Sequence, residues 1–322
     1  NPTTVVPTTT TTYTSTVTDQ YSCQTLANTT ITANALIGGT ISIGGSTSGA
    51  SICQGTVPGT IASDVAASGG SGSTPAYQWQ SSLNNSTWTN ISNANAATFN
   101  PSDAVTQNIY IRRQVTDMGV IAYSNTLLAT RLLLPTVVVS ASPTSVVSGG
   151  AATLTAGGAA TYAWTPTGTL NQSTGTSVTA TISSSTPYTV TGTDAQSPPC
   201  DNTATITLNV SALNAGSLSG NEDVCAGATP TAVTSATLAT GGSSNYTYSW
   251  QSSTAVNFAS ATTLTGTSSS YTFPAGGISQ NLYYRRGVYD QTNPSGVVYT
   301  SPVLKTLRTP NVPTLSADPS TS

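Results

Sequence analysis

The sequence predicts an all-β protein made of tandem antiparallel β-sandwich modules, and three observations support this. Charged residues make up 5% of the 322 residues, against roughly 25% in an ordinary globular protein, and the remaining polar residues are mainly Thr, Ser, Asn, Gln and Gly. Short runs rich in Thr, Val, Ile and Tyr alternate with Gly, Pro and Ser, as half-buried strands alternate with turns. The chain also contains a long internal repeat.

The charge composition excludes several classes of function. The chain has seven Lys or Arg, ten Asp or Glu and no His, which gives a net charge of -3. Without histidine there is no Ser-His-Asp or Cys-His catalytic arrangement and no His-ligated zinc. So few cations cannot neutralise a row of phosphates, and no apolar run approaches the ~20 residues that cross a bilayer. We therefore expect no enzymatic activity, no cofactor, no metal site, no nucleic-acid partner and no membrane insertion.

The internal repeat indicates two module types in alternation. The sequence YQWQSS at 77–82 returns as YSWQSS at 248–253, and YTSTVTD at 13–19 returns as YTVTGTD at 188–194. The two matches belong to different modules, which we name B and A respectively. The predicted segments are the C-terminal part of an A module at 1–33, the first B module at 34–134, the A module at 135–211, the second B module at 212–309, and the first strand of a further A module at 310–322.

The two terminal segments carry too little apolar surface to fold alone. We therefore expect the natural polypeptide to be longer, with frayed tails as the alternative. Each complete module is predicted to contain about six short strands, a number and spacing typical of a sandwich. The predicted strands of the A module are 136–140, 152–155, 162–164, 177–182, 188–193 and 204–210. Those of the first B module are 61–67, 76–80, 97–100, 109–116 and 122–133.

Six aromatic residues occupy positions typical of an immunoglobulin-like (Ig-like) sandwich. A Trp falls on the strand of each complete module where such a sandwich places its buried indole, and a Tyr opens a later strand, where a tyrosine corner is expected. We expect all six in the core: Trp79, Trp164, Trp250, Tyr110, Tyr188 and Tyr283. The alternative is a row of exposed aromatics that binds sugars, for which Trp88 is the best candidate because the second B module has no counterpart.

Two Arg pairs are the only concentrated charge in the chain. Both lie in mid-strand, so one side chain of each pair should point into the sandwich or its rim and the other outward. An inward Arg needs carboxylate or carbonyl partners, and an Asp follows each pair near the next hairpin. The predicted ion pairs join Arg112 and Arg113 to Asp117, and Arg285 and Arg286 to Asp290. An anion or acidic-glycan site is the alternative.

The modules resemble a known group of repeats. The A module, with GGAATLTA at 149–156 and YTVTGTD at 188–194, is similar to the Ig-like/PKD-like repeats of giant secreted proteins of Bacteroidetes. The B module, with ICQG at 52–55 and YIRR at 110–113, is similar to their partner repeat. The resemblance implies export by the type IX secretion system, an extracellular or cell-surface location, and a role in an adhesin, including the adhesins of gliding motility.

The cysteines depart from the pattern of the resembled repeats, which usually carry one Cys after the first strand and one at the turn before the last. The B modules keep the first (Cys53, Cys225) and the A modules keep the second (Cys23, Cys200). No Cys therefore has a partner within its own module, although disulfides are expected in an exported protein.

Two disulfide schemes respect the repeat. In one, Cys23 pairs with Cys53 and Cys200 with Cys225. In the other, Cys53 pairs with Cys200, while Cys23 bonds the preceding unit and Cys225 the following one. The geometry of an Ig-like sandwich favours the second scheme, because Cys200 and Cys225, which the first scheme pairs, would lie roughly 40 Å apart, against a limit near 7 Å. Free thiols are the remaining alternative.

We expect a structural function, namely a repeating stalk or filament of a secreted bacterial cell-surface adhesin. Its partners would be further repeats of the same polypeptide or identical chains. A second hypothesis is a glycan-binding module with surface glycans as its partners, and a third is an accessory region of a larger secreted enzyme.

Overall fold

The computed structural model describes residues 5, 7, 9–71 and 73–310. Across these residues the chain is built of β-strands arranged in sandwiches, as predicted. None of the described residues forms a helix of the length and apolarity that crossing a membrane requires. The described residues group into two compact units. The first comprises residues up to Pro135 together with Asp194–Asp201, and the second comprises Thr136–Thr193 together with residues from Asn202 onward.

The first unit begins with an isolated hairpin and continues with the first B module. The hairpin strands are β1 (Thr11–Thr18) and β2 (Gln24–Ile31). The strands of the first B module are β3 (Asn34–Ile37), β4 (Thr40–Ile43), β5 (Gly49–Cys53), β6 (Ile61–Val65), β7 (Ser68–Gly70), β8 (Ala76–Ser82), β9 (Thr89–Asn90), β10 (Ile109–Asp117), β11 (Val120–Tyr123) and β12 (Leu127–Leu132). The main sheet has the order β5-β12-β10-β8-β9, with β11 also paired to β10, while β4 pairs with β6 and β3 with β7.

The core of the first B module lies between the main sheet and the β4–β6 pair. Along β10 buried residues alternate with half-buried ones, as period-two strand geometry requires when one face is covered. Trp79 on β8 is fully buried against residues from both sheets, including Ile41, Ile61 and Ile111. Its indole N–H donates to the carbonyl of Ala96, so the polar atom of the buried ring is satisfied.

The A module forms two packed sheets. Its strands are β13 (Val138–Ser142), β14 (Ser145–Val146), β15 (Gly150–Gly157), β16 (Thr161–Thr165), β17 (Ser177–Ile182), β18 (Thr186–Thr193) and β19 (Asp201–Val210). One sheet has the order β13-β15-β17 and the other β14-β19-β18-β16. The inward residues of both sheets, Trp164 and Tyr188 among them, form one continuous core.

The second B module repeats the topology of the first. Its strands are β20 (Ser217–Ser219), β21 (Glu222–Cys225), β22 (Thr234–Thr237), β23 (Tyr246–Ser253), β24 (Thr262–Leu264), β25 (Leu282–Asp290), β26 (Asn293–Tyr299) and β27 (Val303–Arg308). The main sheet has the order β21-β27-β25-β23-β24 with β26 on β25, and β20 pairs with β22. Trp250 is fully buried beside Val233 and Tyr284.

Two of the predicted strands differ from the observed ones. Residues 97–100 form no strand, and only Phe99 pairs with Ile61 in an isolated bridge. The segment 122–133 is divided between β11 and β12, because the chain turns at Asn125, whose side-chain amide bonds both the N–H and the carbonyl of Ile41. Residues 311–322, which make up almost all of the predicted first strand of a further A module, lie outside the described residues.

The predicted core position of two tyrosines was wrong. Trp79, Trp164, Trp250 and Tyr188 are all at most 1% exposed, but Tyr110 and Tyr283 are only half-buried. The reason is strand alternation, because the neighbouring Ile111 and Tyr284 take the inward positions.

Candidate functional site

The candidate functional site of the first unit is a disulfide between residues far apart in sequence. Cys53 and Cys200 are bonded, with their Cα atoms 5.6 Å apart and a separation of 147 positions in the sequence. The bond joins the end of β5 in the first B module to the loop that follows β18. Cys200 is 1% exposed and Cys53 is half-buried.

The turn after β5 holds Cys53 in place. Strand β5 runs parallel to β12, with Cys53 opposite Leu132, and the N–H of Gln54 extends this pairing by donating to the Leu132 carbonyl at 2.8 Å. The chain then reverses at Gly55, whose φ of +83° suits a residue without a Cβ. Thr56 closes the turn, since both its N–H and its hydroxyl donate to the Cys53 carbonyl, at 3.1 and 2.6 Å.

The loop that carries Cys200 is organised by Asp194. The Asp194 carboxylate accepts the N–H groups of Gln196 and Cys200, both at 3.0 Å, and the Asp194 N–H donates to the Cys200 carbonyl. The bond from the Cys200 N–H lowers the pKa of Asp194 below its ordinary value. Gln196 then reaches the Leu133 carbonyl of the first B module at 2.9 Å, so a hydrogen bond accompanies the disulfide.

The loop organised by an Asp recurs at Cys23, and the turn with a positive-φ glycine recurs at Cys225. At Cys23 the Asp19 carboxylate accepts the Cys23 N–H at 2.8 Å, and the Asp19 N–H donates to the Cys23 carbonyl. At Cys225 the chain also leaves a parallel-paired strand, with Cys225 opposite Arg308, and reverses at Gly227 with a φ of +81°. Cys23 and Cys225 are exposed and unbonded. The pairings Cys23–Cys53 and Cys200–Cys225 are therefore excluded.

In the second unit the A module and the second B module meet through hydrogen bonds. The Asn293 side chain donates to the Ser148 carbonyl at 3.1 Å, and the Ala151 N–H donates to the Thr292 carbonyl at 3.3 Å. The first turn of the A module thus contacts the β25–β26 hairpin. Val147 stands in this turn, where the resembled repeats usually carry a Cys, so this joint is not covalent.

Asp290 organises the second B module beside this joint. Its carboxylate accepts the N–H and hydroxyl of Ser243 at 2.6 and 3.0 Å, and the N–H and hydroxyl of Thr292. Burial alone raises the pKa of this carboxyl group, but the hydrogen bonds from Thr292 and Ser243 outweigh burial and hold the pKa of Asp290 below its ordinary value. In the first B module Asp117 accepts the N–H and hydroxyl of Ser71 in the same way.

The predicted ion pairs of the Arg pairs with Asp117 and Asp290 were wrong. Arg113 is fully buried, and its guanidinium donates to the carbonyls of Ala97 and Gly38 at 2.6 and 3.0 Å and to the Ser63 hydroxyl at 2.8 Å. Asp117 lies four residues further along the same strand, about 13 Å away at ~3.3 Å per residue, and is out of reach.

Arg286 repeats this arrangement in the second B module. It is 1% exposed and donates to the carbonyls of Ala215 and Ser269 and to the Ser235 hydroxyl. Burial lowers the pKa of both inward guanidinium groups. Each inward Arg thus ties strands and loops of its module together through neutral oxygen atoms.

The outward Arg of each pair stacks between aromatic rings. The guanidinium carbon of Arg112 lies 4.1 Å from the centre of the Trp88 ring and 3.7 Å from that of Tyr123. Arg285 lies 4.2 Å from Phe258 and 3.7 Å from Tyr299. Trp88, the predicted sugar-binding aromatic, is therefore half-buried with one partner already stacked on it.

The two ion pairs among the described residues were not predicted from sequence. Lys305 lies 2.6 Å from Glu222, and Arg308 lies 2.7 Å from Asp223. Lys305 is fully buried, while Arg308 and Asp223 are mainly exposed. The adjacent acidic residues Glu222 and Asp223 are the sequence feature that could have indicated them. In the parallel pairing of β21 with β27 these two residues stand opposite Lys305 and Thr306.

Comparison with solved structures finds tandem β-domain proteins of low sequence identity. The three N-terminal domains of the Highly Immunogenic Outer Capsid protein of bacteriophage RB49 are 14% identical, with 86% of this chain and 98% of that chain covered and a TM-score of 0.31. The FN1–FN3 domains of chicken CNTN1 are 13% identical, with 85% and 100% covered and a TM-score of 0.27. Scores this low carry no inference about function.

Sequence comparison gives one family assignment. Among curated proteins no sequence matches the chain. A family model described as a domain of unknown function (DUF8696) matches residues 38–130 and 214–307, which fall within the two B modules and together cover more than half of the chain. The chain therefore belongs to the DUF8696 family.

Proposed function

We propose that this chain is a structural repeat of a secreted bacterial surface protein, a stalk or filament in which neighbouring modules are joined so that they resist pulling. The observation that carries the proposal is the Cys53–Cys200 disulfide, because it closes a loop of 147 residues between two modules. A bond placed in this way prevents the enclosed chain from extending even when the modules unfold.

The same bond supports the location that we propose. Structural disulfides persist in oxidising surroundings outside the cell, which supports an extracellular protein. The resemblance of the modules to Bacteroidetes repeats supports export by type IX secretion and attachment to the cell surface, with gliding-motility adhesins as one such setting. We propose a non-enzymatic role, which is supported by the lack of histidine in the sequence and by a site that consists of a disulfide between distant residues.

The partners that we propose are further repeats of the same kind. Cys225 precedes a turn like the one that follows Cys53, and Cys23 lies in an Asp-organised turn like that of Cys200. In the proposed assembly Cys225 bonds an A-type turn that follows it, and Cys23 bonds a B-type turn that precedes it. The same joint would then recur along a longer array.

Single-molecule force extension tests the proposal. The chain is pulled from its two ends with and without a reductant. We expect discrete unfolding steps in both states, and a final extension about 500 Å longer after reduction, because 147 residues are released at ~3.5 Å each. Cys200→Ser should give the longer extension without reductant, and Cys23→Ser serves as its matched control.

Two results would contradict the proposal. An extension that does not change on reduction would show that the disulfide is not part of the folded chain. Extension without discrete unfolding steps would show that the modules offer no resistance to force, and the mechanical role would then be wrong.

A further inference from the structure

The first B module contains a groove whose counterpart in the second B module is filled. It has a volume of about 680 Å³ and lies between the main sheet and the long loop that joins β9 to β10. Ile109, Ile111 and Phe99 contribute apolar surface, and the loop contributes the rim. The size lies within the range of ligand-binding pockets, roughly 300–1,000 Å³.

The corresponding space in the second B module is filled by aromatic rings. Tyr271 and Tyr284 both pack against Phe273, with ring centres 5.2 and 5.0 Å apart. Burial raises the pKa of Tyr284 to about 12, as expected for an enclosed phenol.

Strand register identifies the counterparts of these rings in the first B module. Tyr271 forms an isolated β-bridge with Val233, as Phe99 does with Ile61. Phe273 follows Tyr271 by two positions, and Pro101 follows Phe99 by two positions. Tyr284 pairs with Val303 as Ile111 pairs with Leu127. Phe273 is thus replaced by Pro101 and Tyr284 by Ile111, both of which line the groove.

The buried ion pair of the second B module supports its aromatic filling. The Lys305 ammonium lies 2.6 Å from Glu222, 2.9 Å from the Thr231 carbonyl and 5.4 Å from the centre of the Phe273 ring. Lys305 stands opposite Glu222 in the parallel pairing of the second B module. The equivalent pair in the first B module is Ala129 with Ala50. The first B module therefore lacks the large side chains that close this region in the second.

The rim of the groove is rich in neutral hydrogen-bonding groups. The exposed amides of Asn93, Asn95 and Gln107 make no hydrogen bond within the part of the chain that the structure describes. Asp103 is the one ionisable side chain among the residues that line the groove. The guanidinium of Arg131 lies beside the groove but already donates to the Thr106 carbonyl at 2.9 Å, so the lining favours a neutral ligand. The loop at 91–108 contains no strand, which leaves no strand edge there for a peptide to extend.

We propose that this groove binds a neutral oligosaccharide. A sugar ring presents an apolar C–H face to a surface such as Ile109 and Phe99, and its hydroxyls both donate and accept, as side-chain amides do. The site is distinct from Trp88, whose ring is stacked on Arg112. The second B module has the same fold but is filled at this place, so the two B modules differ in binding.

The test uses the whole chain and a panel of neutral hexasaccharides, namely cello-, xylo-, manno- and laminarihexaose, followed by NMR or calorimetry. We expect binding to at least one of them. Asn93→Gly, which tolerates the φ of +59° at this position, combined with Asn95→Ala should weaken it by about tenfold or more, because two amide hydrogen bonds are lost. Pro101→Phe with Ile111→Tyr, which introduces the residues of the second B module, should abolish it. Asn28→Ala, an exposed amide on β2, is the control.

Several outcomes would overturn the proposal. They are no binding by any panel member at millimolar concentration, binding that both groove variants retain, and preferential binding of acidic sugars or of a Pro-rich peptide. Loss of binding in Trp88→Ala alone would place the site at Trp88 instead. If the double variant that fills the groove does not fold, the Asn93 and Asn95 variant decides. The force experiment involves none of these residues, so the two proposals can fail separately.

Discussion

Cys225 stands in the second B module where Cys53 stands in the first: each ends a strand that runs parallel to the last strand of its module, and each is followed two residues later by a glycine with a φ near +80°. Cys53 is bonded and Cys225 is exposed. The same type of turn therefore follows a disulfide-bonded cysteine in one B module and a free cysteine in the other.

This relationship predicts the thiol count of the folded protein. Without reductant, two thiols per chain should react rapidly with a maleimide, because Cys23 and Cys225 are exposed and unbonded. Peptide mapping should find the label on these two residues and the disulfide between Cys53 and Cys200. Labelling of Cys53 in the unreduced protein, or a mapped Cys23–Cys53 peptide, would contradict the structure.

Removal of the disulfide should lower stability. In the chain-entropy model, closing a loop of 147 residues stabilises the folded state by up to about 5 kcal/mol. Cys200→Ser should therefore lower the free energy of unfolding by about 3–5 kcal/mol, as measured by chemical denaturation of the oxidised protein. The same change at Cys23 should have little effect. Equal losses in the two variants would show that the serine itself, and not the bond, is responsible.

The pH dependence of stability should depend on Asp290. Its pKa is held below the ordinary value of 3.8, so its contribution is fully present above that value and is lost as the pH falls through the lower pKa of the folded state. Asp290→Asn should lower the free energy of unfolding at neutral pH by about 1–3 kcal/mol and flatten its acid dependence below pH 3.8. Melting curves across pH measure both effects.

Asp201→Asn, which changes an exposed carboxylate, is the matched control for this experiment. Its melting curves are recorded over the same pH range and compared with those of Asp290→Asn. An unaltered acid profile in Asp290→Asn would contradict the role assigned to the Ser243 and Thr292 hydrogen bonds.

The two arginines of one pair should respond differently to substitution. Arg113→Lys should destabilise the first B module by about 2–3 kcal/mol, because an ammonium group cannot reach the Gly38 and Ala97 carbonyls and the Ser63 hydroxyl together, and buried carbonyls are left unpaired. Arg112→Lys should cost less, about 1 kcal/mol, since it weakens stacking at a partly exposed site. Denaturant titration of both variants gives the comparison. Equal losses would contradict the assigned inward and outward roles.

Much of the fold follows from sequence because it rests on local pattern and repetition. The buried positions of Trp79, Trp164 and Trp250 follow from strand periodicity. The inferred geometry of an Ig-like sandwich also favours the pairing of Cys53 with Cys200, which the structure contains.

Two of the errors arise within a single strand, where the start of the strand does not show which residues point inward and which can touch. Tyr110 was assigned to the core because it opens a strand, although Ile111 takes the inward position. The ion pair of Arg113 with Asp117 failed for a related reason, since residues four apart on a strand cannot touch. The groove was not predicted at all, because its existence depends on which side chains of distant segments meet beside Pro101 and Ile111.

The position of the basic residues has a practical consequence for resistance to proteolysis. All seven Lys and Arg residues of the sequence lie within strands, in β10, β12, β25 and β27. Trypsin-like proteases bind their substrates as extended, mobile segments, which are found in loops and at termini. Six of the seven basic residues are therefore withheld from such enzymes until a module unfolds, whereas Arg308, which ends β27 and is exposed, offers a cleavage site in the folded protein.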